Sequence, residues 1–256
     1  MKLALISDIH GNYPALKAAL EQLDNLSIDA WLCLGDLVGY GPFPEECVTE
    51  IRKRNIPTLM GNHDAGVVGR MPLEAFKEPN RSVLEASQSM LSEENLSFLK
   101  QMPLMLTSDE FSQASGEQIS FAYPWLATHA SPVEPGKWEY LDSAIRCREV
   151  LQEFPAYDFI FVGHTHRPAL VPDKLGTFGM KKGNRYLMNP GSIGQPRDED
   201  KRSSIMVLDM ENYRYENIRI DYNVEDTIEG YKAMGISKRH ARRLLNLKKK
   251  SSFWWF

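Results

Sequence analysis

Leu3-Ala4-Leu5-Ile6-Ser7-Asp8-Ile9-His10 decides how this chain folds. A continuous apolar run of four residues is the signature of a strand buried on both faces, and it ends in polar residues. The strand therefore delivers Asp8 and His10 at its carboxyl end, and Tyr13 to Leu26 follows with helical periodicity. The pattern then repeats. Ala30-Trp31-Leu32-Cys33-Leu34 leads into Gly35-Asp36-Leu37-Val38-Gly39-Tyr40-Gly41-Pro42, Glu45 to Arg54 reads as a helix, and the strand Pro57 to Met60 precedes Gly61-Asn62-His63-Asp64. Strand, loop chemistry and helix in alternation argue for an α/β sheet with its site at the carboxyl edge.

Further along, Leu104 to Ala127 reads as a hairpin and then a strand ending at His129. Ser143 to Phe154 reads as a helix, and Phe159-Ile160-Phe161-Val162 as a strand ending at Gly163-His164-Thr165-His166. Arg185 to Met188 leads into Asn189-Pro190-Gly191-Ser192. Ser204 to Asp209 and Tyr213 to Ile220 form a hairpin around Glu211-Asn212, and these later strands predict a second sheet packed on the first. Met71 to Met102 has a different character. Leu84, Met90, Leu91, Leu96 and Leu99 fall at roughly helical spacing, with Ser92-Glu93-Glu94-Asn95 as a helix start. This segment is read either as a helical insertion covering the site or as a plain packing pair. Val224 to Met234 and Ser237 to Leu247 read as a terminal helix pair.

Five of the six histidines lie in the Gly/Asp/Asn-rich motifs at the ends of apolar runs. Hard carboxylate oxygens and borderline imidazole nitrogens recurring together suit two divalent first-row cations. Three cysteines, Cys33, Cys47 and Cys147, have no metal-type spacing and are expected as buried free thiols. The formal charge of -4 gives no electrostatic footprint for long nucleic acid. An amino-terminal apolar run too short for a signal peptide, with no apolar stretch of about 18 residues, leads to the expectation of a cytoplasmic protein without a membrane span.

Asp-x-His, Gly-Asp, Gly-Asn-His-Asp, a lone His and Gly-His-x-His, in this order from Met1 to about Ile220, resemble the calcineurin-like metallophosphoesterase superfamily. Leu37 to Pro42, His129-Ala130-Ser131-Pro132, Trp138-Glu139-Tyr140-Leu141 and Asn189 to Asp198 resemble its small bacterial phosphodiesterase branch, which includes diadenosine tetraphosphate hydrolase-like proteins. The resemblance implies a four-layer αββα sandwich of two mixed sheets. It places the metallophosphoesterase domain at 1–222, with 71–102 as insertion or cap, and leaves 223–256 as a helical segment with a basic-aromatic tail.

It also implies one metal held by Asp8, His10, Asp36 and His166 and a second held by Asp36, Asn62, His129 and His164. Asp36 would bridge them, because one carboxylate can span cations about 3.5–4 Å apart. Manganese is the first choice of ion, with Fe, Zn, Co or Ni also suited to the ligand set. A hydroxide between the metals would attack phosphorus. His63 would stabilise the developing charge and protonate the leaving alkoxide, with Asp64 holding its imidazole protonated.

Asn189 and Ser192 are read either as part of a tight turn or as a substrate border, and Arg197 either as a fork for a second phosphate or as a surface ion-pair partner. Asn12 and Tyr40 lie near ligand loops and are read either as part of the site or as loop polarity. The expected substrate is a phosphodiester or phosphoanhydride of a small nucleotide, asymmetric diadenosine tetraphosphate hydrolysis being the sharpest version. A protein phosphatase and a non-catalytic metal-binding scaffold are the alternatives. The tail, Lys238 to Lys250 and Phe253-Trp254-Trp255-Phe256, is read as a solvated basic helix packing on its own domain or on a second subunit, which would make a homo-oligomer. A weak membrane-surface or nucleic-acid contact is the other reading.

Overall fold

The computed structural model describes all residues except 79, 177–178, 236–237, 239–240, 243–244 and 246–256. Two mixed sheets build it. The first has the order β2 (Ala30–Cys33), β1 (Lys2–Ile6), β8 (Ser203–Asp209), β9 (Arg214–Ile220). Its β1 and β2 run parallel, with Leu3 opposite Ala30 and Ile6 opposite Cys33, and β8 and β9 complete it antiparallel. The second has the order β3 (Met105–Thr107), β4 (Trp125–Thr128), β5 (Phe159–Phe161), β7 (Tyr186–Asn189), β6 (Ala169–Pro172), with β4, β5 and β7 parallel.

The continuous apolar strands are explained by layers on both faces. In β1, Leu3 and Leu5 point to the other sheet, where they pack with Trp125, Phe159, Phe161, Tyr186 and Met188. Ala4 and Ile6 point the other way, into α1 (Tyr13–Asp24) and α2 (Pro44–Lys53). The second sheet alternates likewise: Ile160, Val162 and Leu187 pack under α7 (Ala144–Glu153) through Cys147, Val150 and Leu151. Helix, sheet, sheet, helix is the expected four-layer order.

Four local expectations need correction. The hairpin β8–β9 extends the first sheet, because Leu3 to Leu5 offer β8 the free edge of β1. Pro57 to Met60 makes a single parallel bridge, Thr58 to Cys33, since Pro57 lacks the donor that would extend it. Gly61 to Asp64 opens a helix, α3 (Asn62–Val67), in place of a loop. β3 pairs with β4 itself, the connection between them carrying a short α6 (Phe111–Ser115).

The segment 71–102 contains α4 (Asn80–Met90) and α5 (Glu93–Gln101), the latter N-capped by Ser92. α5 packs on α2 through Asn95, which bonds Thr49 and the Glu45 carbonyl. α4 reaches the loops of the first sheet, where Asn80 bonds the Tyr40 hydroxyl at 2.8 Å. α8 (Val224–Ala233) is held to them as well, through Thr227 on Asn12 and Tyr231 on the Tyr40 carbonyl. From the segment read as a second terminal helix, Ala241 and Leu245 pack with Ile228, Tyr231 and Val83. His240 and the aromatic tail lie outside the described residues. All three cysteines are free and buried. Among the described residues no helix is long and apolar enough to cross a membrane.

Candidate metal centre

Every strand that was read as delivering a motif ends on one edge of the two sheets. β1 brings Asp8 and His10, β2 brings Asp36, β4 brings His129, and β5 brings His164 and His166. Asp8, His10, Asp36, Asn62, His63, His129, His164 and His166 are all at most 9% exposed. Their donor atoms form overlapping groups in which all atoms lie within 4.8 Å: Asp8, His10 and His166; His10, Asp36 and His63; Asp36, His129 and His164. One oxygen of Asp36, Oδ2, lies 3.6 Å from His10 Nε2 and 3.3 Å from His129 Nε2, between the outer groups.

The histidines are aimed from behind. Nδ1 of His10, His129 and His166 donates to the carbonyls of Val38 (3.0 Å), Leu34 (2.8 Å) and Gln195 (2.6 Å). A carbonyl can only accept, so in the neutral imidazole each Nε2 presents a lone pair to the centre, the arrangement that outer partners give metal-ligating histidines. As a result the Nε2 atoms of His10 and His166 face each other at 3.0 Å. Asp8 Oδ1, Asn62 Oδ1, His129 Nε2 and His164 Nε2 are buried without a hydrogen-bond partner among the described residues. Burying such atoms unpaired costs about 1–3 kcal/mol each. Convergent lone pairs of O and N type are the donor set a divalent cation needs, so these residues fit metal ions.

The local backbone explains how residues two apart converge. Asp8, His10, Asp36, His164 and His166, with Tyr40, have φ between 50° and 64°. This left-handed region costs about 1–2 kcal/mol for a residue with a Cβ, and it turns each loop inward. Neighbouring glycines make room. A Cβ on Gly61 would stand 2.0 Å from Asp36 Oδ1, and one on Gly163 would stand 2.2 Å from Ser7 Oγ. Ser7 in turn donates to Asp8 Oδ2 at 2.6 Å.

Burial opposes charge throughout, and neighbours decide the outcome. It drives His63 down to about 3, only partly offset by Asp36, and His164 down to about 4, helped by His129. At His129 burial is overcome by the Asp36 carboxylate, which lifts the imidazole to about 9. At Asp8 and Asp36 burial is likewise overcome, by His166 and His129 respectively, and both carboxyl groups stay well below the usual range.

The partners seen in the structure give three of the expected residues structural duties. Asp64 does not hold the His63 imidazole: its oxygens accept from the backbone N–H groups of Asp36, Leu37, Val38 and Gly61 at 2.8–3.3 Å. It therefore shapes the Asp36 loop, although burial and the Asp36 charge push its carboxyl up to about 7. Asn189 donates to the Gly163 carbonyl and Thr165 and accepts from Gly191 N, and Ser192 donates to the Asp8 carbonyl and accepts from Gln195 N. Both are buried braces of the loops that carry the candidate ligands.

Arg197 is at the site. Its guanidinium donates to the Tyr40 hydroxyl at 3.1 Å and to Gln195 Oε1 at 3.0 and 3.2 Å. Tyr40, read from the sequence either as part of the site or as loop polarity, has its ring 4.7 Å from those of both His10 and His63. Phe76, from 71–102, packs on the far edge of His63 at 5.2 Å, so this segment does reach the centre. Tyr140 covers His164 at 4.0 Å. Nothing in the sequence marks Phe76, whereas Tyr40 and Tyr140 lie inside motifs quoted above.

Comparison with known proteins agrees with this geometry. The model of the calcineurin-like phosphoesterase superfamily domain matches residues 1–213. An uncharacterized protein of Methanocaldococcus jannaschii is 34% identical over 89% of this chain and 90% of its own. A metallophosphoesterase of Sphaerobacter thermophilus, known as a crystal structure, is 31% identical over 95% of this chain and 98% of its own, with a TM-score of 0.73. A symmetrical bis(5'-nucleosyl)-tetraphosphatase of Klebsiella pneumoniae is 32% identical over 43% of this chain, a match spanning only 40% of that protein. The family implies divalent metal ions. The chain belongs to the calcineurin-like phosphoesterase superfamily and is a metallophosphoesterase, a hydrolase of phosphoric ester or anhydride bonds.

Proposed function

We propose that this protein hydrolyses phosphodiester or phosphoanhydride bonds of small nucleotides at a dinuclear centre. The observation that carries the reading is the convergence of buried, unpartnered O and N atoms from separate motifs on one sheet edge. Asp8, His10, Asp36 and His166 would hold one ion and Asp36, Asn62, His129 and His164 the other, Asp36 reaching both groups through Oδ2. When bound, such ions lower the pKa of water towards 7 and neutralise phosphate charge. Manganese is the first ion to test.

The chain's own residues do the rest. His63, beside Asp36 and His10, is placed to donate a proton to the leaving oxygen. Burial keeps its imidazole neutral, so a phosphate dianion alongside it is what would favour the charged form. Arg197 holds its fork over the same space and suits a second phosphate group. Tyr40 and Phe76, packed on the His63 ring, keep water from the imidazole. Similarity to a symmetrical tetraphosphatase over part of the chain supports dinucleotides as substrates without deciding which anhydride is cut.

The test is product analysis on the Mn-loaded protein with diadenosine tetraphosphate, cyclic mononucleotides and a phosphopeptide. Asymmetric cleavage of the first substrate gives ATP plus AMP, and cleavage at the centre gives two ADP. Faster turnover of the phosphopeptide than of any nucleotide would overturn the substrate class in favour of a protein phosphatase.

A further inference from the structure

Arg197 and Tyr140 form a feature of the site that metal ligation and proton transfer leave unused. The guanidinium carries a permanent charge and donates to neutral oxygens on Tyr40 and Gln195, while Tyr140 and the Asp8 carboxylate also act on its charge. An arginine fork set among neutral acceptors keeps its attraction for an anion. Tyr140 reaches this group from the loop between β4 and α7. One face of its ring lies on His164, with the planes 30° apart, while the residue stays 50% exposed. Its open face therefore looks outward at the mouth of the centre.

The loop that carries this ring is anchored. The preceding residue, Glu139, is gripped by Arg146 through two contacts of 2.7 and 3.1 Å, and Arg146 is tied also to Glu149 and Glu153 on α7. Trp138, with φ of 55°, turns the loop so that its own ring packs edge-on to His129 at 6.1 Å. The loop thus presents a preset flat aromatic surface next to a fixed cation. An aromatic face beside a phosphate-binding fork matches a base joined to a phosphate through a sugar, because stacking is available to every base and costs two χ angles only.

We propose that Tyr140 is a specificity-determining residue that stacks the base of a nucleotide whose phosphate is held by Arg197. The proposal rests on the nucleotide reading above and adds the residue that selects for the base. Stacking of this kind would leave the substrate's scissile phosphate over the metal-ligand groups and its base outside them. Purine and pyrimidine nucleotides would both be accepted, the larger purine surface being favoured.

Calorimetric titration of the Mn-loaded full chain with AMP and with inorganic phosphate tests this apart from turnover. Tyr140→Ala is expected to weaken AMP by about tenfold relative to its effect on phosphate, in line with the worth of one stacked base. Tyr140→Phe keeps the ring, so it is expected to hold AMP within about twofold, and Tyr140→Trp to hold or improve it. Arg197→Ala is expected to weaken both ligands. Equal weakening of AMP and phosphate by Tyr140→Ala, or AMP lost in Tyr140→Phe, overturns the stacking role while leaving the phosphoesterase reading in place. Failure of the wild-type chain to bind AMP while it binds phosphate overturns it too, and failure to bind either while hydrolysing no nucleotide overturns both.

Discussion

His63 and Asp64 are neighbours with unlike duties, and substitutions separate them. His63→Ala is expected to lower kcat by about 10²–10⁴-fold, the usual share of a positioned acid, with metal content and thermal stability close to wild type. Asp64→Ala removes the acceptor of four buried backbone N–H groups and is expected to cost at least about 3 kcal/mol of stability, measured by urea unfolding. A stable Asp64→Ala protein with only its activity lost would show that the carboxylate serves the imidazole after all. Asn189→Ala tests the bracing of the loops: losing its bonds to Gly163 and Thr165 is expected to reduce metal affinity by about 10–100-fold, the range for residues that orient ligands. An unchanged metal affinity with a raised KM would instead return Asn189 to the substrate border.

At the scale of elements, the strands were legible and the turns were not. Leu3 to Ile6 and Phe159 to Val162 announce themselves because alternate residues face a helix layer and a sheet layer, so no position tolerates a polar side chain. Phe161, between the sheets with no exposure, is expected to cost about 3–5 kcal/mol when cut to alanine, as read from the unfolding midpoint. The left-handed backbone of Asp8, His10, Asp36, His164 and His166 left no sequence signal beyond nearby glycines, because Asp and His, although enriched there among non-glycine residues, still adopt that region uncommonly. The motif residues were readable as a set. The partners of Asp64, Asn189 and Ser192 were not, since a buried brace and a substrate contact use the same polar residue types. The hairpin β8–β9 was foreseen locally, but which sheet it joins depends on the free edge of β1, a long-range pairing that periodicity does not encode.

For the whole molecule, the candidate centre lies where both sheets end, so ions held there would tie the two halves of the sandwich together. Asp8 and Asp36 come from the first sheet, His129, His164 and His166 from the second. Ions bound there favour the folded chain over the unfolded one, by about 2.7 kcal/mol at a hundred times Kd for one site. For a chain of this size that amounts to a Tm raised by about 5–10 °C on adding Mn, reversed by a chelator, in a thermal melt. No shift with any of the first-row ions would place the ligands in a purely structural hydrogen-bond cluster. The decisive quantity is the metal content of the desalted Mn-loaded chain, read by mass spectrometry of the element beside Asp36→Ala. Two ions per chain are expected in the wild type and at most one in the variant. One ion or none in the wild type, or two in both proteins, would contradict a centre bridged by Asp36.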